Sequence, residues 1–138
     1  MGVFVLVNKY LAIDLGLKRI GLAYSAHKDL VTPLQAIIRK NRNQASDEVK
    51  RAIKEWEINS IVIGIPLGGS SEDEMRRRIE HFMNLVAFDG DVFYQDEAGS
   101  SKEAEALIKG EIKQIRDGRV DSISAMIILQ RYLRTVKN

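Results

Sequence analysis

Hydrophobic positions along this chain change their period part-way through. "YLAID" (residues 10–14) is a short apolar run, and "RIGLAYS" (19–25) alternates apolar and polar positions. Both read as strands, and Gly16 between them suits a tight turn with positive φ. "TPLQAIIR" (32–39) reads as a third strand entered after Pro33. The three predict an antiparallel meander.

From residue 46 the spacing becomes helical. In "SDEVKRAIKEWEI", Val49, Ala52, Ile53 and Trp56 repeat on one face, with Ser46 as the expected N-cap. "SIVIGIP" (60–66) is a continuous apolar run ended by Pro66, the pattern of a buried parallel strand. Ser71 with Glu74, and Ser100 with Glu103, have capping-box spacing. The first opens a helix with Met75, Ile79, Phe82, Met83 and Val86 on its apolar face. The second opens a helix through Ile108. Between them, "DVFYQ" (91–95) is a short strand ending at Asp96 and Glu97. "VDSISAMIILQRYLRTV" (120–136) is apolar almost all round its middle and predicts a buried helix. The order β-β-β-α-β-α-β-α-α implies an α/β fold, with a mixed five-stranded sheet and helices packed on it.

The 138 residues show no internal repeat or linker, so a single domain over 1–138 is the simplest partition. Cysteine is absent, which excludes a disulfide framework and thiolate chemistry. His27 and His81 are far apart and in no zinc-ligand spacing; both are expected at the surface or in structural roles. No apolar run reaches the roughly 18 residues of a membrane span, so a cytoplasmic protein is expected. The first nine residues read as an extra strand segment or an upstream start. A net charge of +2 permits a nucleic-acid partner without requiring one. Aromatics are 7% of the chain and do not interleave with its basic clusters, which argues against a base-stacking platform.

Acids stand at the ends of these elements. Asp14 ends the first strand, Asp96 and Glu97 end the fifth, and Asp121 lies in the first turn of the last helix. Functional groups of open α/β sheets gather at strand carboxyl ends. If strands one and five lie near each other, these carboxylates repel, and a hard divalent cation such as Mg²⁺ or Mn²⁺ removes the penalty. Taken singly, each acid has a plain alternative: a turn acid at Asp14, a helix N-terminal acid at Asp121, a solvated pair at 96–97.

Three blocks taken together resemble the YqgF/RuvX family of Holliday junction resolvase-like proteins, also implicated in pre-16S rRNA processing. They are "AIDLGLKRIGLAYS", "IVIGIPLGGSSEDE", and "QDEAGSSKEAE" followed by "VDSISAMIILQRYL", and they span about residues 10–134. The resemblance implies an RNase H-like fold, with Asp14, Glu97 and Asp121 as catalytic, metal-binding acids and Asp96 as a further candidate. It also places Lys18 and Arg19 against a phosphate backbone. Lys109, Lys113, Arg116 and Arg119, just before Asp121, would form a basic rim beside the metal. The clusters "RKNR" (39–42) and "RRR" (76–78) suit solvated surface better. Trp56 and Phe82 are expected in the core, and Gly64 and Pro66 at a strand exit near the site.

Two departures stand out. Ala98 follows the "DE" pair where the family usually has arginine, and Ser100 and Ser101 replace its threonines. Three functions are in view. One is a divalent-metal-dependent nuclease on structured nucleic acid, for which 5′-end processing of pre-16S rRNA leads and Holliday junction resolution is the alternative. Another is a nucleic-acid-binding or ribosome-assembly factor with weak chemistry. The third, an actin-like ATPase, needs a second domain that 138 residues do not supply. Trimming an RNA suits a monomer, and cutting a junction suits a homodimer.

Overall fold

Strand alternation decides which way each layer faces, and it is clearest on the first strand. In the computed structural model, which describes residues 7–27, 30–111 and 119–136, β1 is Tyr10–Leu15. Its Leu11, Ile13 and Leu15 join one core, whereas Ala12 joins a second core on the opposite face. β2 (Arg19–His27) and β3 (Leu30–Ile38) complete the expected antiparallel meander. β4 (Ser60–Ile65) and β5 (Asp91–Asp96) then add in parallel, giving the sheet order β3-β2-β1-β4-β5. All six residues of β4 are buried, as its continuous apolar run predicts.

Helices α1 (Arg42–Glu55) and α2 (Glu72–Val86) cover one face, through Ala45 and Val49 of α1 and Ile79, Phe82 and Val86 of α2. α4 (Arg119–Thr135) covers the other with Ala125, Ile128, Leu129, Tyr132 and Leu133, packed on Ala12, Ala23 and Val62. Small residues on that side of the sheet let the helix come close. α3 (Ser100–Glu111) packs against α4. No helix among the described residues is long and apolar enough to cross a membrane.

Local details depart from the expectations. α1 starts four residues before Ser46: Asn41 is its N-cap and closes a capping box with Gln44, and the first turn carries no acid. Ser46 is buried inside the helix, its hydroxyl donating to the Asn43 carbonyl at 3.0 Å. Ser71 is the N-cap of α2 but makes no capping hydrogen bond, so that box does not form. The box at Ser100 is also unmade: Ser100 is a buried helical residue, and the Glu103 amide bonds the Gly99 carbonyl. α3 continues past Ile108 to Glu111. Strand β3 begins at Leu30, with Pro33 inside it, which an edge strand tolerates because one side of its backbone has no partner.

Trp56 is not core. It lies at the end of α1, 36% exposed, against Tyr24. Phe82 is buried as expected. Gly16 does not adopt positive φ; a Cβ there would meet the Arg19 carbonyl oxygen at 2.4 Å, so close approach is what requires glycine. Residues 1–6 of the N-terminal segment lie outside the described residues.

Candidate active site

Asp14 is the fifth residue of β1, on the face that α4 covers. Its register partner on β2 is Gly21. A Cβ at Gly21 would stand 2.0 Å from the Asp121 carbonyl oxygen, so only glycine lets the first turn of α4 lie on β2 there. The contact is fixed by the Leu22 amide, which donates to the Ser122 hydroxyl at 3.3 Å. Asp121 is thereby brought beside Asp14.

Glu97 arrives by another route. β1 and β5 are not neighbours, because β4 lies between them. The gap is bridged at Gly64, whose missing side chain leaves room for Glu97: a Cβ there would be 3.0 Å from Glu97 Oε1 and 3.2 Å from its Cβ. The Glu97 amide donates to the Ile65 carbonyl at 3.0 Å, which anchors the residue just past the strand end. Three acids from β1, the β5 exit and α4 thus gather at the carboxyl end of the sheet.

Their charges interact. The Asp14 carboxyl is raised from 3.8 to about 7, first by burial and then by Glu97 and Asp121. Glu97 is also raised, by burial and then by Asp96. Arg19 Nε donates to Asp121 Oδ2 at 2.9 Å, an ion pair that engages this acid. Among the described residues, no three acidic, His or Cys side chains stand in a metal-holding arrangement. The donors nevertheless fit a hard divalent ion in kind: all are carboxylate oxygens, and two belong to partly buried acids destabilised by like charge. The pair takes up one oxygen of Asp121, Oδ2, at the exposed Arg19.

Asp96, the further candidate acid, is engaged by backbone amides. Its Oδ1 accepts from the amides of Leu67 (3.3 Å) and Ala98 (3.2 Å), tying the β4 and β5 exits together. Arg131, on α4, completes that tie. Its guanidinium donates to the carbonyls of Asp96 (3.2 Å) and Ala98 (2.9 Å) and to Glu103 Oε1 (2.7 Å).

The sequence signature of the RuvX family, described as Holliday junction resolvase, matches residues 8–135. The chain belongs to the RuvX family. A Sulfurimonas denitrificans protein named "Putative pre-16S rRNA nuclease" is 75% identical over 126 residues, covering 91% of this chain and 97% of that protein. A Campylobacter lari protein of the same name is 54% identical over 124 residues, covering 90% and 96%. Among solved structures, T. thermophilus RuvC in complex with a Holliday junction substrate aligns with TM-score 0.58 at 10% identity, covering 93% of this chain and 94% of that one. The fowlpox virus Holliday junction resolvase gives 0.55 at 15%, covering 93% and 99%. At such identities the likeness concerns the fold, which is RNase H-like.

On this RuvX fold, Lys18 stands exposed in the β1–β2 turn and Arg19 stands exposed at the first position of β2. Lys109 is exposed on α3. Lys113 and Arg116 lie outside the described residues, as does the side chain of Arg119, which opens α4. Arg131, Gly21 and Ser122 also shape the site, and the sequence does not mark them. Two small residues and an arginine deep in an apolar helix carry no local signal; only the docking of α4 gives them a role.

Proposed function

We propose that this RuvX chain is a single nuclease domain, working in the cytoplasm, that hydrolyses phosphodiesters with a divalent metal and matures the 5′ end of pre-16S rRNA. The observation that carries this is Asp14, a carboxyl raised to about 7 at a strand end beside Glu97 and Asp121. The names of the Sulfurimonas and Campylobacter relatives supply the substrate.

In this reading Asp14, Glu97 and Asp121 hold one or two Mg²⁺ or Mn²⁺ ions. Such an ion supplies positive charge against the developing phosphoryl charge and lowers the pKa of a water. Lys18 and Arg19 bind backbone phosphate, Gly64 leaves Glu97 its room, and Asp96 and Arg131 keep the Glu97 loop in place. Arg19 has two uses: it shields Asp121 in the free protein and moves to a phosphate when substrate arrives. The test is the length of 16S rRNA precursors in cells depleted of the protein, restored by wild type and not by D14N. Precursors of normal length after depletion overturn the substrate assignment.

The Arg19–Asp121 ion pair favours one other reading, a ribosome-assembly factor that binds RNA without cutting it. Purified protein that binds precursor RNA yet gives no Mn²⁺- or Mg²⁺-dependent cleavage decides for that reading.

A further inference from the structure

The two arginine-bearing runs "RKNR" and "RRR" are remote in sequence, yet the fold brings them to one cavity. It has a volume of about 300 Å³ and lies between α1 and α2, on the face of the sheet opposite α4. Arg39, Arg42, Arg77 and Arg78 line it, with Glu74 and His81. Leu15 and Phe82 supply its apolar part.

Four guanidinium groups therefore converge with a single carboxylate lining the same space. Among the described residues none of the four is in an ion pair; Arg76, their neighbour, is the one engaged by Glu72. The convergence has a cost. Arg39 is pushed down from its ordinary value by burial and by the charges of Arg78 and Arg42.

Several of the guanidinium groups are held in place. Arg39 donates to the Gly16 carbonyl at 2.7 Å and lies 5.5 Å from the centre of the Phe82 ring. Arg78 reaches the Met75 sulfur at 3.4 Å. Arg42 meets His81 Nε2. A guanidinium has only donors, so the ring nitrogen is the acceptor of this contact and helps to orient Arg42. Like charges fixed close together, with donor forks still free, are matched by a multivalent oxyanion such as phosphate.

The position of the cavity selects the source of that phosphate. Leu15, in its wall, directly follows Asp14, and the two side chains leave opposite faces of β1. Gly16, which Arg39 grips, belongs to the turn that carries Lys18 and leads into Arg19. We propose that this arginine cavity binds a phosphate group of the nucleic-acid strand whose other contacts lie at the acids, so that the strand passes over the end of the sheet and is held on both faces. The proposal rests on the nucleic-acid reading above and adds a contact on the side of the sheet away from Asp14.

The test is binding of single-stranded RNA to the full chain, followed by fluorescence anisotropy in EDTA, where no cleavage is needed. R42A/R78A is compared with K54A/R134A, which removes the same charge from exposed positions outside the cavity. Loss of the cavity contact weakens affinity roughly three- to tenfold and lowers the slope of log K against log salt by about 0.7 per phosphate lost. The control keeps nearly wild-type affinity. RNAs with and without a 5′-phosphate separate an end phosphate from an internal one: dependence on the 5′-phosphate assigns the end, independence assigns the backbone, and both support the site. Should R42A/R78A fail to fold, R77A, at an exposed position, is compared with K54A alone, so that the charges removed stay equal.

A folded cavity variant that binds like wild type, or loses no more than the control, overturns the proposal. If the wild type still cleaves RNA in Mn²⁺ in that case, the nuclease reading stands without it. Affinity lost only in the cavity variant, from a protein that never cleaves, leaves the cavity standing and removes the nuclease.

Discussion

Asparagine at position 14 removes one negative charge from the sheet end and keeps the shape of the side chain. Asp14 sits at about 7 instead of 3.8 because burial, Glu97 and Asp121 all oppose its ionisation. Between those values the folded chain retains a proton that the unfolded chain has lost. Stability therefore falls as pH rises through this window, is unaffected by Asp14 below it, and levels off above about pH 7. At about 1.4 kcal/mol per pH unit, the loss in metal-free wild type reaches about 4 kcal/mol at pH 8. That is a large share of the roughly 5–15 kcal/mol that holds a domain folded. D14N escapes this loss. In urea unfolding with EDTA it should be the more stable protein at pH 8, with the gap closing towards pH 4. Mn²⁺ should then raise the wild-type midpoint and leave D14N nearly unmoved. A D14N protein that is less stable at pH 8, or a gap that does not change with pH, refutes the idea that Asp14 is a buried acid strained by its neighbours.

Three other substitutions probe the surroundings. G64A places a methyl 2.5 Å from Ile128 Cδ1 and 3.0 Å from Glu97 Oε1; it should cost about 1–3 kcal/mol by overpacking and reduce RNA cleavage more than tenfold. Unchanged cleavage would mean that Glu97 does not need that space. R131A frees the carbonyls of Asp96 and Ala98; amide exchange at 96–99 should quicken while the centre of β4 stays protected, and equal exchange would remove Arg131 from its holding role. R19A releases Asp121 from its ion pair; Mn²⁺ should bind more tightly and RNA more weakly, changes of opposite sign that calorimetry and anisotropy read separately.

Much of this arrangement could be read from the chain. The strand order of events, the buried β4 and the enclosed α4 follow from long apolar runs whose periods are unambiguous. Asp14 drew notice because a carboxylate rarely ends an apolar strand. Helix starts were less legible. Asn41 with Gln44 sits in a basic stretch that looks like loop, so Ser46, followed by two acids, took its place. The insertion of β4 between β1 and β5 is a matter of sheet order, which no local pattern encodes. Gly21 and Gly64 matter for what other elements put against them, and the spacing that points Trp56 to the core does not show that its helix ends there. The two arginine runs were each read as surface; they become a single feature only when α1 and α2 lie side by side.

Helix α4 holds both sides of the acid cluster with one rod: Asp121 near its start and Arg131 ten residues on, gripping the loop that carries Glu97. That separation is about 15 Å of helix. Inserting or deleting one residue between them would rotate one partner by about 100° relative to the other and shift it by about 1.5 Å. No flexible side chain restores both at once. The helix therefore works as a spacer of fixed length, and its middle should tolerate substitution far better than any change in residue number.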